Sequence, residues 1–214
     1  MARYIIVNGS PIKNGRSAQI ARGLAHRLTQ NNAPDIHFKE ITAQVQKPAS
    51  EAADNSAIIF DIGSQPVNYC IACDCCKETQ RCVLGDHLQQ KYSLIDAADV
   101  IIVVSPVYFA GPTAQLKAFL DRMQPYFWNE EVRKLERKAF LFVVREGGDP
   151  HGFDPLLTCV KSSLAVAGFK LQEHIDCIGV YDEALEKLVD SAAQKIACSE
   201  GFDSKTQRKR EGGK

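Results

Sequence analysis

RYIIVNGSPIKNGRS, residues 3–17, passes from an apolar run into a polar run that contains two glycines. Residues 3–8 are rich in β-branched side chains, which is typical of a buried parallel strand. Residues 9–15 have the composition of a loop. Apolar residues then recur at helical spacing, at Ile20, Leu24 and Leu28. Because Ser17 is placed to cap that helix, the segment predicts a strand, a glycine-containing loop and a helix in succession.

The same alternation continues along the chain. Strands are predicted at residues 99–105, 138–144 and 170–178, and helices at residues 89–98, 114–123, 155–167 and 183–197. Residues 36–41 and 57–62 both alternate like strands, with a polar, alanine-rich stretch at 42–55 between them, and the pattern does not indicate which one joins the main sheet. Alternating strands and helices predict an α/β fold with a doubly wound parallel sheet and helices on both faces.

Composition limits the classes of partner. The 214 residues are 45% apolar and carry 26 basic and 26 acidic side chains, a balance that calls for neither nucleic acid nor an anionic membrane. No apolar stretch approaches the roughly 18 residues needed to cross a bilayer. We therefore expect a soluble cytoplasmic protein with one domain over residues 1–200 and a disordered basic tail over 201–214, and we expect no nucleic-acid or membrane partner.

Three loops follow apolar strands and should meet at the carboxyl edge of the sheet, where ligands of such folds bind. The first, residues 9–17, leads into a helix N-terminus, where backbone N–H groups and the helix dipole favour a phosphate. Ser10, Asn14 and Ser17 can donate hydrogen bonds there, and Arg16 adds a positive charge. The loop has neither the Walker A pattern nor GxGxxG, which argues against ATP and against an ordinary dinucleotide site.

The second and third loops supply the surroundings of a flat ligand. Residues 105–112 place Tyr108 and Phe109 where an aromatic ligand would lie, and Gly111 allows close backbone approach. Residues 145–150 contain two glycines that can open a groove beside such a ligand. Either aromatic could instead pack in the core, and either loop could be a plain turn.

Five of the eight cysteines lie between residues 70 and 82. Cys70, Cys73, Cys76 and Cys82 form the pattern C-x2-C-x2-C-x5-C, and compact spacing of this kind lets one loop wrap several thiolates around an iron–sulfur cluster. Zinc binding, a redox dithiol and unliganded thiols are the alternatives. Cys75 fits no simple ligand frame and is treated as a spare thiol. We interpret Cys159, Cys177 and Cys198 as small buried hydrophobes.

Taken together, these motifs resemble the NAD(P)H-dependent FMN reductase family. The resemblance covers roughly residues 3–180 and rests on residues 9–15, on 105–109 and on the segment LKAFLDR at 116–122. The cysteine run, within an insert at 68–86, is similar to that of the iron–sulfur flavoprotein subgroup. Asp86-His87 stands where relatives often have two acidic residues.

The resemblance implies a flavodoxin-like five-stranded sheet, bound FMN, a 4Fe–4S cluster, and a homodimer or homotetramer that exchanges electrons with a soluble donor or acceptor, with NAD(P)H as a possible donor. It assigns FMN to Ser10, Ile12, Asn14, Gly15, Arg16, Ser17, Pro106, Val107, Tyr108, Phe109, Ala110, Gly111, Glu146, Gly147 and Gly148, and the cluster to Cys70, Cys73, Cys76 and Cys82. The chemistry would centre on the flavin, without a catalytic side chain.

Two other functions are consistent with the sequence. One is a cluster-free NAD(P)H-dependent FMN or quinone reductase, and the other is a zinc-stabilised binding module. Lys117, Asp121 and Arg122 are expected to support their helix and a subunit contact. The aromatic residues 125–128 are expected to form an exposed interface patch or to cover a neighbouring subunit's flavin.

Overall fold

A computed structural model describes residues 2–29, 56–147 and 150–200. Its sheet has five parallel strands: β1 (Arg3–Asn8), β2 (Ser56–Asp61), β3 (Val100–Pro106), β4 (Arg137–Val144) and β5 (Phe169–Asp176). They lie in the order β2-β1-β3-β4-β5. This order is that of flavodoxin-like folds, in which ligands bind where the strand order reverses.

Helices cover both faces of the sheet. One face packs against α1 (Arg16–Thr29) and the last described helix, Asp182–Glu200. The other face packs against three helices, Tyr92–Ala97, Ala114–Asp121 and Asp154–Val166. Three short helices complete the described part of the chain: Gln124–Phe127 and Glu130–Arg133 contribute Tyr126 and Val132 to this second core, whereas Cys75–Thr79 buries no residue. In chain order the helices after α1 are α2 (Cys75–Thr79), α3 (Tyr92–Ala97), α4 (Ala114–Asp121), α5 (Gln124–Phe127), α6 (Glu130–Arg133), α7 (Asp154–Val166) and α8 (Asp182–Glu200).

Side chains of successive strand residues alternate between the two layers. In β1, Ile5 and Val7 face the layer that contains α4, whereas Tyr4 and Ile6 face the layer that contains α1. The central strands β1, β3 and β4 are therefore buried on both sides, which accounts for their continuous apolar runs, whereas the edge strands β2 and β5 are partly exposed. The predicted doubly wound fold with five parallel strands is confirmed.

Several local expectations are corrected. The first helix begins at Arg16, so Ser17 lies inside it, and Gly15 occupies the capping position, with its carbonyl accepting from Gln19. Pro125 and Tyr126 are buried, so the aromatic stretch is not one exposed patch. Cys177 is buried as expected and Cys159 is partly buried, but Cys198 is exposed.

Some predictions lie outside the described residues: the possible strand at 36–41, the whole stretch 42–55, Gly148 and the tail at 201–214. Residue 56 onward forms β2, so the second of the two candidate strands joins the sheet beside β1. Among the described residues, no helix combines the length and apolar character that crossing a membrane requires.

Candidate functional site

The carboxyl ends of the strands bring the three predicted loops to one edge of the sheet. Asn8 at the end of β1 lies beside Asp61 of β2 and Val104 of β3. Pro106 at the end of β3 lies beside Val144 of β4. The backbone N–H of Val107 also donates to the carbonyl of Val144, at 3.0 Å, so the second and third loops start from a shared hydrogen bond.

The phosphate loop, residues 9–17, is held by buried polar side chains. Asn8 and Ser10 are only 1% and 4% exposed. The Asn8 carboxamide oxygen accepts from the backbone N–H of Ser10 at 3.2 Å, and the Ser10 hydroxyl accepts from that of Ile12 at 3.1 Å. The Asn8 amide donates to Asp61 at 3.2 Å. These bonds fix the start of the loop, while the first N–H groups of α1 have no partner within the helix.

A turn after β2 buttresses the phosphate loop from outside. The Asp61 carboxylate accepts from the backbone N–H of Gly63 at 3.1 Å. A Cβ atom at Gly63 would lie 2.9 Å from the carbonyl oxygen of Ser10 and 3.0 Å from that of Pro11. Such distances to backbone atoms force a displacement, so this position requires glycine if the turn is to touch the loop.

Thr113, which is fully buried, ties the phosphate loop to α4. Its hydroxyl donates to the carbonyl of Gly9 at 2.7 Å and accepts from the backbone N–H of Leu116 at 3.1 Å. The second bond caps α4, because it satisfies one of the N–H groups that a helix start leaves unpaired. One side chain therefore serves both the loop and the helix.

Arg16 lies against the segment that follows β5. Its guanidinium sits 4.4 Å from the centre of the Tyr181 ring and donates a weak hydrogen bond of 3.5 Å to the Val180 carbonyl. This cation–π contact holds a positive charge beside the first turn of α1. Tyr181 is a site residue that the sequence did not indicate.

The second loop forms a tight turn that presents an aromatic ring. Tyr108 and Gly111 exchange backbone hydrogen bonds of 2.9 and 3.0 Å. The two residues between them, Phe109 and Ala110, have φ angles of 50° and 62°. Left-handed conformations cost energy for residues with a Cβ atom and concentrate at functional sites. Phe109 is fully exposed and Tyr108 is 45% exposed, so neither packs in the core.

Helix α7 anchors the turn of the second loop, and the third loop lies exposed at the same edge of the sheet. The carbonyl of Ala110 accepts from the backbone N–H of Leu156 in α7, at 3.2 Å. In the third loop Gly147 has φ 115°, and the carbonyl of Arg145 accepts from the N–H of Gly179 at 3.1 Å. Glu146 and Gly147 are exposed at the same edge of the sheet.

The cysteine insert, residues 68–86, follows the turn that supports the phosphate loop. Its helix α2 buries no residue, and its start and end, Asp74 and Gln80, have left-handed φ angles of 59° and 54°. The side-chain amide of Gln80 donates to the carbonyl of Trp128 at 3.3 Å, and the Lys77 ammonium lies 5.6 Å from the centre of the Trp128 ring. Trp128, which follows α5, therefore supports the insert.

The thiols of the insert share an electrostatic environment without forming a closed site. Burial raises the pKa of Cys76, and charges on Cys70, Cys82 and Cys73 raise it further. A hydrogen bond with Cys73, and then its charge, raise the pKa of Cys75. Across residues 2–29, 56–147 and 150–200, no three His, Cys, Asp or Glu side chains are arranged to hold a metal ion. The donor set thus suits a metal cluster in type and spacing, but not in the arrangement of its side chains.

The comparisons with known proteins bear directly on this edge of the sheet. The model of a family described as NADPH-dependent FMN reductase matches residues 2–161, which include all three loops and the cysteine insert. The chain belongs to the NADPH-dependent FMN reductase family. Membership confirms the resemblance inferred from the motifs.

Curated proteins that resemble this chain in sequence carry a more specific name. An "iron-sulfur flavoprotein" of Archaeoglobus fulgidus is 42% identical over 65 residues, which are 30% of this chain and 30% of that protein. Another of that name, from Methanosarcina thermophila, is 36% identical over 84 residues, 39% of this chain and 44% of the relative. The chain thus matches less than half the length of these curated relatives.

A solved structure shows the same fold over most of the chain. The NAD(P)H:quinone oxidoreductase of Methanothermobacter marburgensis superposes with a TM-score of 0.60 and 14% sequence identity, over 92% of this chain and 97% of that one. At this identity the likeness concerns the fold, and it supports a flavodoxin-like architecture for this member of the reductase family.

The structure brings most of the predicted cofactor residues to one edge and adds others. Ser10, Ile12, Asn14, Gly15, Arg16 and Ser17 lie on the phosphate loop; Pro106, Val107, Tyr108, Phe109, Ala110 and Gly111 form the second loop; Glu146 and Gly147 stand at the third. Asp61, Gly63 and Thr113 support the site and were missed. Asp-x-Gly directly after an apolar strand was the signal that could have found the first two.

Proposed function

We propose that this protein binds FMN at the three loops and acts as an FMN-dependent oxidoreductase. The observation that carries the proposal is the phosphate loop itself: Asn8, Ser10 and Thr113 hold its backbone, and it leads into the N-terminus of α1, where Arg16 places a positive charge. A phosphate is the group that such a helix start recognises. FMN supplies hydride and electron transfer when it is bound.

The residues would divide the work of binding. The first turn of α1 and the phosphate loop would take the FMN phosphate, and Arg16 would add charge. Phe109, held outward by the turn of the second loop, would contact the ring system, and the open backbone at Gly147 would leave room at its edge. None of these contacts with FMN requires a side chain to gain or lose a proton.

A comparison of two ligands tests the phosphate assignment. FMN and riboflavin differ only in the phosphate, so quenching of flavin fluorescence in titrations with each should show FMN bound about 100-fold more tightly, the effect of one or two charge-assisted hydrogen bonds. Equal affinities would place the phosphate elsewhere. Bleaching of bound flavin by NADPH or NADH, followed without oxygen, would then identify the donor.

We further propose that Cys70, Cys73, Cys76 and Cys82 hold a 4Fe–4S cluster. The spacing supports this, as do the names of the relatives and the mutual influence of the four thiols at Cys76. Anaerobically purified protein should contain about four irons and four sulfides per chain. Cys76→Ser should lose them, and the matched control Cys75→Ser should keep them.

A cluster-free FMN or quinone reductase is the second candidate, favoured by one observation: the described residues contain no arrangement of side chains ready to hold a metal ion. In that case the purified protein would be yellow, with neither iron nor zinc, and Cys75→Ser and Cys76→Ser would behave alike.

Zinc in place of iron, without flavin, would support a binding module instead. A homodimer or homotetramer is part of the proposal, and size-exclusion chromatography with light scattering tests it.

A further inference from the structure

A buried ion pair stands at the base of the cysteine insert. The guanidinium of Arg122 meets the carboxylate of Asp86 at 2.9 and 3.3 Å, in the forked geometry that only arginine can adopt. The two side chains are 1% and 7% exposed. Burial raises the pKa of Asp86, but the hydrogen bonds from Arg122 and from the backbone outweigh it and hold that pKa below its usual value.

The same pair gathers both ends of the insert. The Arg122 guanidinium also donates to the carbonyl of Asn68 at 3.1 Å and to that of Leu84 at 3.4 Å. The Asp86 carboxylate accepts from the backbone N–H of Asn68 at 2.9 Å. Because the chain enters the insert at Asn68 and leaves it at Leu84–Asp86, these bonds close the loop at its base.

Cys82, which lies two residues before Leu84 at this base, interacts electrostatically with Arg122. The hydroxyl of Tyr92 donates to the Arg122 carbonyl at 2.7 Å. Burial raises the pKa of Tyr92, the Arg122 charge opposes this rise, and a charge on Cys82 adds to it. Cys82 and Tyr92 also line one cavity, so Tyr92, Arg122 and Cys82 lie together at the wall of the insert.

The pair is joined to the phosphate loop by a single helix. Arg122 follows the last residue of α4, whose start is capped by Thr113 on the carbonyl of Gly9. Eight helical residues span about 12 Å. One short rigid element therefore has the phosphate loop at one end and the base of the insert at the other.

We propose that Arg122 is a positioning residue that holds Cys82 in place relative to the other three thiols of the insert. The role as a cluster ligand rests on the function proposed above, whereas the closure of the insert does not. A buried ion pair is weak evidence for stability, since apolar residues of the same volume often serve as well. A positional role explains why the pair is bonded to the two ends of one loop.

The test compares two buried arginines. Arg122→Met removes the closure of the insert. Arg137→Met is the matched control, because Arg137 is also buried and donates to the carbonyls of Ile95, Ala98 and Ala167, away from the insert. In the iron-loaded protein, Arg122→Met should lose iron to a chelator about tenfold faster than wild type, the usual effect of removing a group behind a metal ligand. Arg137→Met should lose it at the wild-type rate.

Two further readouts separate position from mere stability. Loss of a positive charge beside Cys82 should move the cluster's reduction potential to more negative values in Arg122→Met, and Arg122→Lys should restore much of that shift because it keeps the charge. At equal occupancy of the insert, FMN affinity should stay within about twofold of wild type in all three variants. Equal iron loss and equal potentials in the two Met variants would overturn the proposal. If Arg122→Met does not fold, iron loss from Arg122→Lys and from Asp86→Asn is compared with that from Arg137→Met instead.

If wild-type protein holds no iron, the position of Cys82 can be tested on the metal-free protein by thiol labelling. Alkylation of each thiol, followed by mass spectrometry, should be slower at Cys82 than at Cys70, which is exposed. Arg122→Met should speed the labelling of Cys82 several-fold and leave Cys70 unchanged, and Arg137→Met should change neither. Iron-free wild type with this labelling pattern would remove the cluster and keep the positioning role; unchanged labelling of Cys82 would remove the positioning role.

Discussion

The phosphate loop and the cysteine insert lie at opposite ends of α4, and they are built in opposite ways. The phosphate loop is fixed by buried side chains of the protein itself, such as Asn8, Ser10 and Thr113. The insert exposes Cys70, Cys73 and Cys75, and its helix α2 buries nothing. The contrast shows that the protein shapes the first site before any ligand binds, whereas in the described part of the chain the insert is held mainly at its base and by Trp128.

The largest effect is expected from Gly63→Ala. The new methyl group would meet the carbonyl oxygens of Ser10 and Pro11 at about 3 Å, so the phosphate loop must move. A displacement of about 1 Å at a binding site can cost about 100-fold, and we expect FMN affinity to fall by that factor. Gly85→Ala in the insert is the matched control, since a Cβ atom there would have nothing within 4 Å. Titration with FMN distinguishes them, and equal affinities would show that the loop is not rigid.

Thr113→Val should have the next largest effect. It preserves shape but removes the bond to the Gly9 carbonyl and the cap of α4. We expect a loss of about 1–2 kcal/mol in the free energy of unfolding and a roughly tenfold weaker affinity for FMN. Chemical denaturation and titration measure the two quantities. Thr113→Ser, which keeps the hydroxyl, should recover most of the affinity; equal weakening in both variants would contradict the role of the bond.

Trp128→Ala addresses the insert alone. The ring carries the cation–π contact with Lys77, worth about 0.5–1 kcal/mol, so its removal should speed tryptic cleavage in the insert about two- to fivefold. Trp128→Phe should fall between the variant and wild type. FMN affinity should not change. A loss of flavin or a change in oligomer size would instead support the expectation that this segment covers a neighbouring subunit's flavin.

The smallest effect is expected from pH. The pKa of Asp86 is held below its usual value, so its contribution is fully present above about pH 4, the unfolded value, and is lost as pH falls through the folded value. Between pH 8 and 5 the rate of chelator- or protease-dependent opening of the insert should therefore stay constant, once corrected for reagent activity. A pH-dependent opening within that window would mean that another group closes the insert.

Sequence alone reached the strands, the three loops and the family because apolar runs, glycines and prolines are local signals. It missed the supports of those loops, which act across long separations: Thr113 meets Gly9 from 104 positions away. It placed Arg122 at a helix or subunit contact, and the side chain is buried against Asp86 instead. Helices as short as Gln124–Phe127 offer too few turns for a periodic pattern.

Helix α4 has a thermodynamic consequence. A rigid element that is hydrogen-bonded to two sites can make occupancy of one site alter the affinity of the other, and linkage requires the effect to be reciprocal. If filling the insert tightens FMN by some factor, FMN must tighten the insert's hold on its ligand by that same factor. The eight residues between Thr113 and Arg122 would then set the strength of the coupling between the two affinities.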